Sequence, residues 1–270
     1  MTVIVCVKIN DGIVMAADSV SSYANGMTYS HANKIVNLWS GHPVGAMVTG
    51  DGGIGNESIE TLFKDLRRRF DGKDPAFEHW KLDPTRTTIQ DIAAKARDFL
   101  VHEKVSLQSY PSNLLVRICG YSAMRPLSET WDLRISSAQN VAPEIVQSET
   151  DWGIRWEGEF EALDRLIIGL GTDAMGVAMR DFGMAIDEAR AARDKLSAGL
   201  YKHLVLPGMP IQDAVNLARF LVETTIGFVK YSIDRPNKTV GGPIEIAAIT
   251  KHEGFRWVQR KHFYPKDLNS

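Results

Sequence analysis

The first nineteen residues constrain the fold more than any other part of the chain. Val3–Ile9 is an apolar run, Asn10-Asp11-Gly12 is a turn, and Ile13-Val14-Met15-Ala16-Ala17 is a second apolar run leading into Asp18-Ser19. Two such runs around an Asn-Asp-Gly turn signal a β-hairpin. A two-residue loop here pairs residues whose numbers sum to about 21. Thr2 then lies beside Ser19, with Asp18 one position away. A third segment, Asn33-Lys34-Ile35-Val36-Asn37-Leu38, is placed to bring a lysine to the same spot.

Cells usually remove an initiator methionine when the next residue is as small as threonine. If Met1 is removed, the hairpin sets a free α-amine and the Thr2 hydroxyl next to the Asp18 carboxylate and the Lys34 ammonium. Those are the parts of an N-terminal-nucleophile amidase. If Met1 stays, the α-amine is displaced and this mechanism fails.

Composition sets the outer limits. A chain of 270 residues with 44% apolar and 24% charged residues suits one soluble globular domain, 1–270, with a large core. A net charge of -2 gives no reason to expect a nucleic-acid partner or an anionic membrane surface. No apolar run approaches the roughly 20 residues of a membrane span. Residues 2–9 lack the basic flank of a secretory signal, so a cytoplasmic location is expected. Cys6 and Cys119 sit inside apolar runs and read as small buried residues of a reducing compartment, a disulfide between them staying open. The seven histidines show no metal-ligand spacing, so no zinc site is expected, and a threonine nucleophile needs neither a metal nor an organic cofactor. The Arg67-Arg68-Arg69 run reads as a solvated helix end.

Along the chain, strands are expected at Ile35–Leu38, Val44–Thr49, Leu114–Tyr121, Trp131–Ser136, Glu144–Gln147, Leu166–Leu170, Ile244–Thr250 and Arg256–Phe263. Gly153–Gly158 reads as a turn or short strand. Helical periodicity marks Ser58–Phe70, Thr88–Ser106, Ala174–Leu204 with a break near Gly183 or Gly199, and Ile211–Ile233. Residues 71–87 read as a loop. Blocks of strands alternate with pairs of helices, which argues for an α+β layered sandwich over an alternating βαβ fold.

The opening Thr2-Val3-Ile4-Val5, the run Asp11–Ser19 and Asn33-Lys34-Ile35 resemble the start of proteasome β-type subunits, with the family's spacing of Thr, Asp and Lys. Thr49-Gly50 resembles the small-Gly pair before that family's first helix. Gly169-Leu170-Gly171-Thr172-Asp173-Ala174-Met175-Gly176 resembles its second strand-to-helix glycine motif, and Val240-Gly241-Gly242-Pro243-Ile244-Glu245-Ile246 its late Gly-Gly motif. The chain is most similar to the divergent bacterial proteasome homologues of the Anbu and BPH types. The resemblance implies a four-layer αββα sandwich assembled into homo-oligomeric rings, with Thr2 facing an inner chamber and acting on polypeptides. By family analogy an ATP-dependent unfoldase is a partner, although no residue here names one.

The same resemblance implies roles for particular residues. Thr2 is the nucleophile, Lys34 favours deprotonation of its neighbours, Asp18 orients Lys34, and the Gly50 backbone N–H stabilises the oxyanion. Ser21, Ala32, Val36, Val48 and Gly52 line the substrate pocket and suggest an apolar or small-residue preference. Four positions depart from the family. Val20 stands where it has Arg, Leu170 where it has Ser, and Asn237 and Val240 where its late motif has Asp and Ser, with Asp234 nearby.

Those departures motivate a second reading, a ring scaffold or binding protein whose chemistry has decayed. A third is an N-terminal-nucleophile hydrolase of small amides. Gly50-x-Gly52-x-x-Gly55 also fits the dinucleotide fingerprint, but that motif opens a βαβ unit, and here it follows strands joined by short turns. The aromatic cluster Trp152, Trp156 and Phe160 is expected to pack in the core or in a ring interface.

Overall fold

The computed structural model describes residues 2–23, 26–108, 112–136, 141–233 and 239–261. The protein is a mixed α+β chain built around two five-stranded antiparallel sheets. In chain order the main elements begin with strands β1 (Val3–Ile9), β2 (Gly12–Ala17), β3 (Ile35–Asn37) and β4 (Val44–Gly50), then helices α1 (Ile59–Phe70) and α2 (Ile89–Arg97). Strands β5 (Leu114–Gly120), β6 (Glu129–Ile135), β7 (Glu144–Gln147) and β8 (Gly153–Gly158) follow. Helices α3 (Ala174–Phe182), α4 (Ile186–Leu200) and α5 (Ile211–Tyr231) precede the closing hairpin β9 (Glu245–Thr250) and β10 (Gly254–Gln259). The first sheet has the order β8-β1-β2-β9-β10 and the second β7-β6-β5-β4-β3.

The N-terminal hairpin forms in the expected register. Ile4 pairs with Ala17, Cys6 with Met15 and Ile9 with Gly12. All seven residues of β1 are buried, because both of its faces are covered. Val3, Val5, Val7 and Ile9 point to a cluster with α5 and with Leu163 and Ile167. Ile4 and Cys6 alternate to the other face and meet Met47, Leu115 and Cys119 of the second sheet. The far side of the second sheet packs Ala46, Val48, Val116 and Ile118 against Leu62, Phe63 and Leu66 of α1 and Ile92 and Ala96 of α2. Cys6 and Cys119 are free thiols, with sulfurs 3.8 Å apart between the sheets.

Several elements differ from expectation, each for a local reason. Leu166–Leu170 is not a strand: the helical turns at Glu161–Leu163 and Asp164–Ile168 take in Leu166–Ile168, and Gly169, at φ +84°, ends them. A short apolar run does not distinguish strand from helix by periodicity, and of Leu166, Ile167 and Ile168 only Ile167 is buried. The Gly169 motif therefore joins two helical segments. Gly153–Gly158 is a full edge strand, paired with β1 from Val3↔Gly158 to Lys8↔Gly153. The Thr88–Ser106 helix is α-helical only to Arg97, then widens through Asp98–Lys104 and tightens at Val105–Leu107. The break expected in the helix after Ala174 does form, at Gly183, whose φ is +66°, while the helix after it ends at Leu200 rather than Leu204. The segment 71–87 carries a tight helical turn at Pro75–Trp80.

Arg69 is not solvated as its run suggested. Its guanidinium lies 3.4 Å from the Phe77 ring centroid and pairs with Glu103 at 2.8 and 2.9 Å. Of the aromatic cluster, Trp156 packs into the α5-side core and its Nε1 donates to Asp164 at 2.9 Å, while Trp152 and Phe160 are largely exposed.

Candidate active site

Hairpin geometry carries Asp18 just past β2, where the ladder with β1 finishes at the Ile4–Ala17 pair and the Asp18 N–H donates to the Val3 carbonyl at 3.3 Å. There the carboxylate collects four donors, three backbone N–H groups and one ammonium. Oδ1 accepts from the Val3 N–H at 3.0 Å, and Oδ2 accepts from the N–H groups of Val20 and Gly241, each at 3.0 Å. Lys34 Nζ donates to Oδ1 at 2.6 Å and to the Val20 carbonyl at 2.5 Å. Asp18 is wholly buried and Lys34 nearly so. Burial pushes the Lys34 pKa down, Asp18 pulls it back up, and the neighbouring Lys261 charge lowers it further.

Thr2 is 6% exposed and sits just before β1. Its carbonyl accepts from the Glu159 N–H at 2.6 Å, which ties it to the end of β8. Thr2, Lys34 and Gly50 open onto one cavity of about 390 Å³. Gly50 ends β4 at φ +109°, and a Cβ there would overlap the Asn113 carbonyl oxygen. Glycine is thus dictated by the backbone itself, before any substrate approaches. Gly242 of the late glycine pair has φ +73° and would put a Cβ 2.6 Å from the Ser30 carbonyl. That close packing is how the segment reaches Asp18.

The sequence-derived pocket residues divide. Ser21, Ala32, Val48 and Gly52 line the cavity with Thr2. Val36 does not line it: it packs against the cluster beneath α1 and α2. The cavity also takes residues that the motifs did not single out, chiefly Tyr23, Tyr29, His31, Asp51 and Glu60. The two tyrosines meet edge to face at 5.7 Å, brought together by a short ladder between Ser21–Ser22 and Thr28–Tyr29. The wall therefore adds aromatic, polar and acidic side chains to the small and apolar residues expected there. The signal for Tyr23, Tyr29 and His31 was a run of Ser, Tyr, Thr and His in a connection next to two chemistry-bearing strands.

The departures from the family pattern fall in different places. Val20 keeps a role through its backbone, bonding Asp18 and Lys34 with its N–H and carbonyl. Leu170 lines a separate apolar cavity with α3 and α4. Val240 is buried against the α5-side core. Asn237 and Asp234 lie outside the described residues. The Gly50-Gly52-Gly55 segment follows a strand that is antiparallel to both neighbours, so it does not open a βαβ unit. No family model and no curated protein matches the chain.

Proposed function

We propose that the chain is a threonine-type endopeptidase subunit with a four-layer αββα fold, acting on polypeptides inside a homo-oligomeric ring. The observation that carries this reading is Lys34 held between Asp18 and the Val20 carbonyl at the base of the cavity that Thr2 lines. With Met1 removed, Thr2 Oγ attacks the scissile carbonyl and the Thr2 α-amine, through a water, accepts its proton. The Lys34 charge favours the deprotonated forms of both groups, and Asp18 fixes where that charge sits. The Gly50 N–H faces the developing oxyanion, a donor typically worth roughly 3 kcal/mol. Water then releases the acyl group.

Ring assembly is supported by α3 and α4, in which only Ala189 is buried while Met179, Phe182, Ile186 and Leu196 stand exposed. Such a face is unusual on an isolated chain. Val240 and Leu170 favour the second reading, a scaffold with decayed chemistry, since neither brings a hydroxyl to the site.

Intact mass measured with and without a peptide epoxyketone separates the two. That reagent needs a free α-amine beside a nucleophilic hydroxyl. Loss of Met1 and a one-to-one adduct that Thr2→Ala abolishes are expected. A processed chain inert to several epoxyketone sequences would move the assignment to the scaffold, and a retained Met1 would rule out this mechanism.

A further inference from the structure

A second buried ion pair lies behind Asp18 and Lys34, and the mechanism above leaves it idle. Glu245 opens β9 with no exposed surface, the one charged residue in that strand. Lys261 follows β10, and its Nζ lies 3.1 Å from Glu245 Oε2. The same ammonium donates to Ser19 Oγ at 2.7 Å and to the Ala32 carbonyl at 2.6 Å. Ser19 donates its own hydroxyl to the Pro243 carbonyl at 2.6 Å, and its carbonyl accepts from the Ala32 N–H at 2.9 Å.

One ammonium therefore fastens both ends of the segment 19–32. Within that segment Ser21, Tyr23, Tyr29, Ser30 and His31 line the cavity, as does Ala32 itself. Ser19 is the neighbour of Asp18, and Ala32 stands two residues before Lys34. Burying such a pair carries a desolvation cost that apolar residues of similar volume would avoid. Neither Glu245 carboxylate oxygen has a hydrogen-bond partner among the described residues, and Oε2 meets Lys261 only as an ion pair at 3.1 Å, an arrangement that costs stability.

We propose that Glu245 and Lys261 are positioning residues of the Thr2 site: Lys261 clamps Ser19 to Ala32 and holds Asp18, Lys34 and the cavity wall in register with Thr2, while Glu245 supplies the buried counter-charge. The inference rests on Thr2 being the nucleophile. Displacement of such groups by a fraction of an ångström is enough to slow a reaction without unfolding the protein.

The test is the Lys261→Met/Glu245→Gln double variant, which leaves no buried charge unpaired, run beside the unsubstituted protein and Thr2→Ala. Melting temperature, final adduct fraction and adduct rate constant with a peptide epoxyketone are recorded. Expected are a melting temperature near that of the unsubstituted protein, a full one-to-one adduct, and a rate constant lower by about tenfold or more. A merely structural pair would instead reduce the adduct fraction while the remaining sites react at the original rate, and that result overturns the proposal. So does an unchanged rate. Ser19→Ala keeps the ion pair but removes one clamped acceptor. It should react several-fold more slowly with a full adduct, and an unchanged rate there also overturns the clamp. If the unsubstituted protein itself is inert, the Thr2 reading fails first and the positioning role falls with it.

Discussion

Gly158 lies flat against Thr2, so that a Cβ on Gly158 would overlap the Thr2 carbonyl oxygen. Gly158 has φ +91° and ends the edge strand paired with β1, and the next N–H, from Glu159, holds the same oxygen. Gly158→Ala should therefore push Thr2 out of place as well as strain the turn. A loss of about 1–3 kcal/mol in stability is expected from the left-handed backbone. Adduct formation with a peptide epoxyketone should slow by more than the unfolded fraction explains. Equal losses in both measurements would show that Gly158 serves the strand alone.

The Lys34 environment predicts a pH profile with a definite sign. Three charged side chains act on its ammonium: Asp18 and Glu245 favour it, Lys261 opposes it, and burial outweighs them to lower its pKa. The rate of adduct formation should fall on the alkaline side as Lys34 loses its proton, below the ordinary lysine value of about 10.4. Removing the like charge with Lys261→Met raises the Lys34 pKa and moves that limb to higher pH. Glu245→Gln removes a favourable charge and moves it to lower pH. Rate–pH curves for the three proteins, compared by midpoint and not by plateau, check the order; coincident midpoints would show that another group sets the limb.

Much of this site was legible before any coordinate. Residues paired around Asn10-Asp11-Gly12 obey one register, and that alone set Asp18 against the end of β1 beside Thr2. Lys34 was readable because a lone lysine led an apolar strand. The clamp was not, since Lys261 is 229 residues from Ala32 and only the sheet order brings the C-terminal hairpin beside β2. The first sheet's edge was half legible: Gly153–Gly158 carries too few apolar residues to announce a strand, and its partner β1 decides the matter. Leu166–Leu170 failed for the opposite reason, being apolar enough for a strand but shorter than any reliable period.

Between the sheets, Arg117 meets Asp132 through two hydrogen bonds, Nε to Oδ1 at 2.7 Å and Nη2 to Oδ2 at 2.8 Å. Burial works against the guanidinium charge, and these bonds more than offset it, so the pKa of Arg117 is raised. Arg117→Met leaves the Asp132 carboxylate buried without its main partner and should cost about 3–5 kcal/mol. Replacing both, as Arg117→Met/Asp132→Leu, should recover most of that loss. Urea midpoints at constant slope read the difference. A single variant as stable as the double would mean that Arg134, 3.4 Å from Asp132, takes over the pairing.

The proposed ring makes its own prediction through α3 and α4, in which only Ala189 is buried. Phe182 closes α3 with 74% of its surface exposed, and Met184 and Ile186, exposed as well, flank the break at Gly183 with it. A charge placed there should be tolerated by the subunit and rejected by a neighbouring copy. Phe182→Asp is therefore expected to leave the melting transition of the folded subunit within a few degrees while lowering the mass seen by light scattering toward the single chain of 30.0 kDa. The adduct rate at Thr2, in a cavity lined by neither α3 nor α4, should change less than the assembly does. A particle of unchanged mass would remove this face from the proposed interface and leave the proposed ring resting on the other exposed aromatic residues, Trp152 and Phe160, at 53% and 45% exposure.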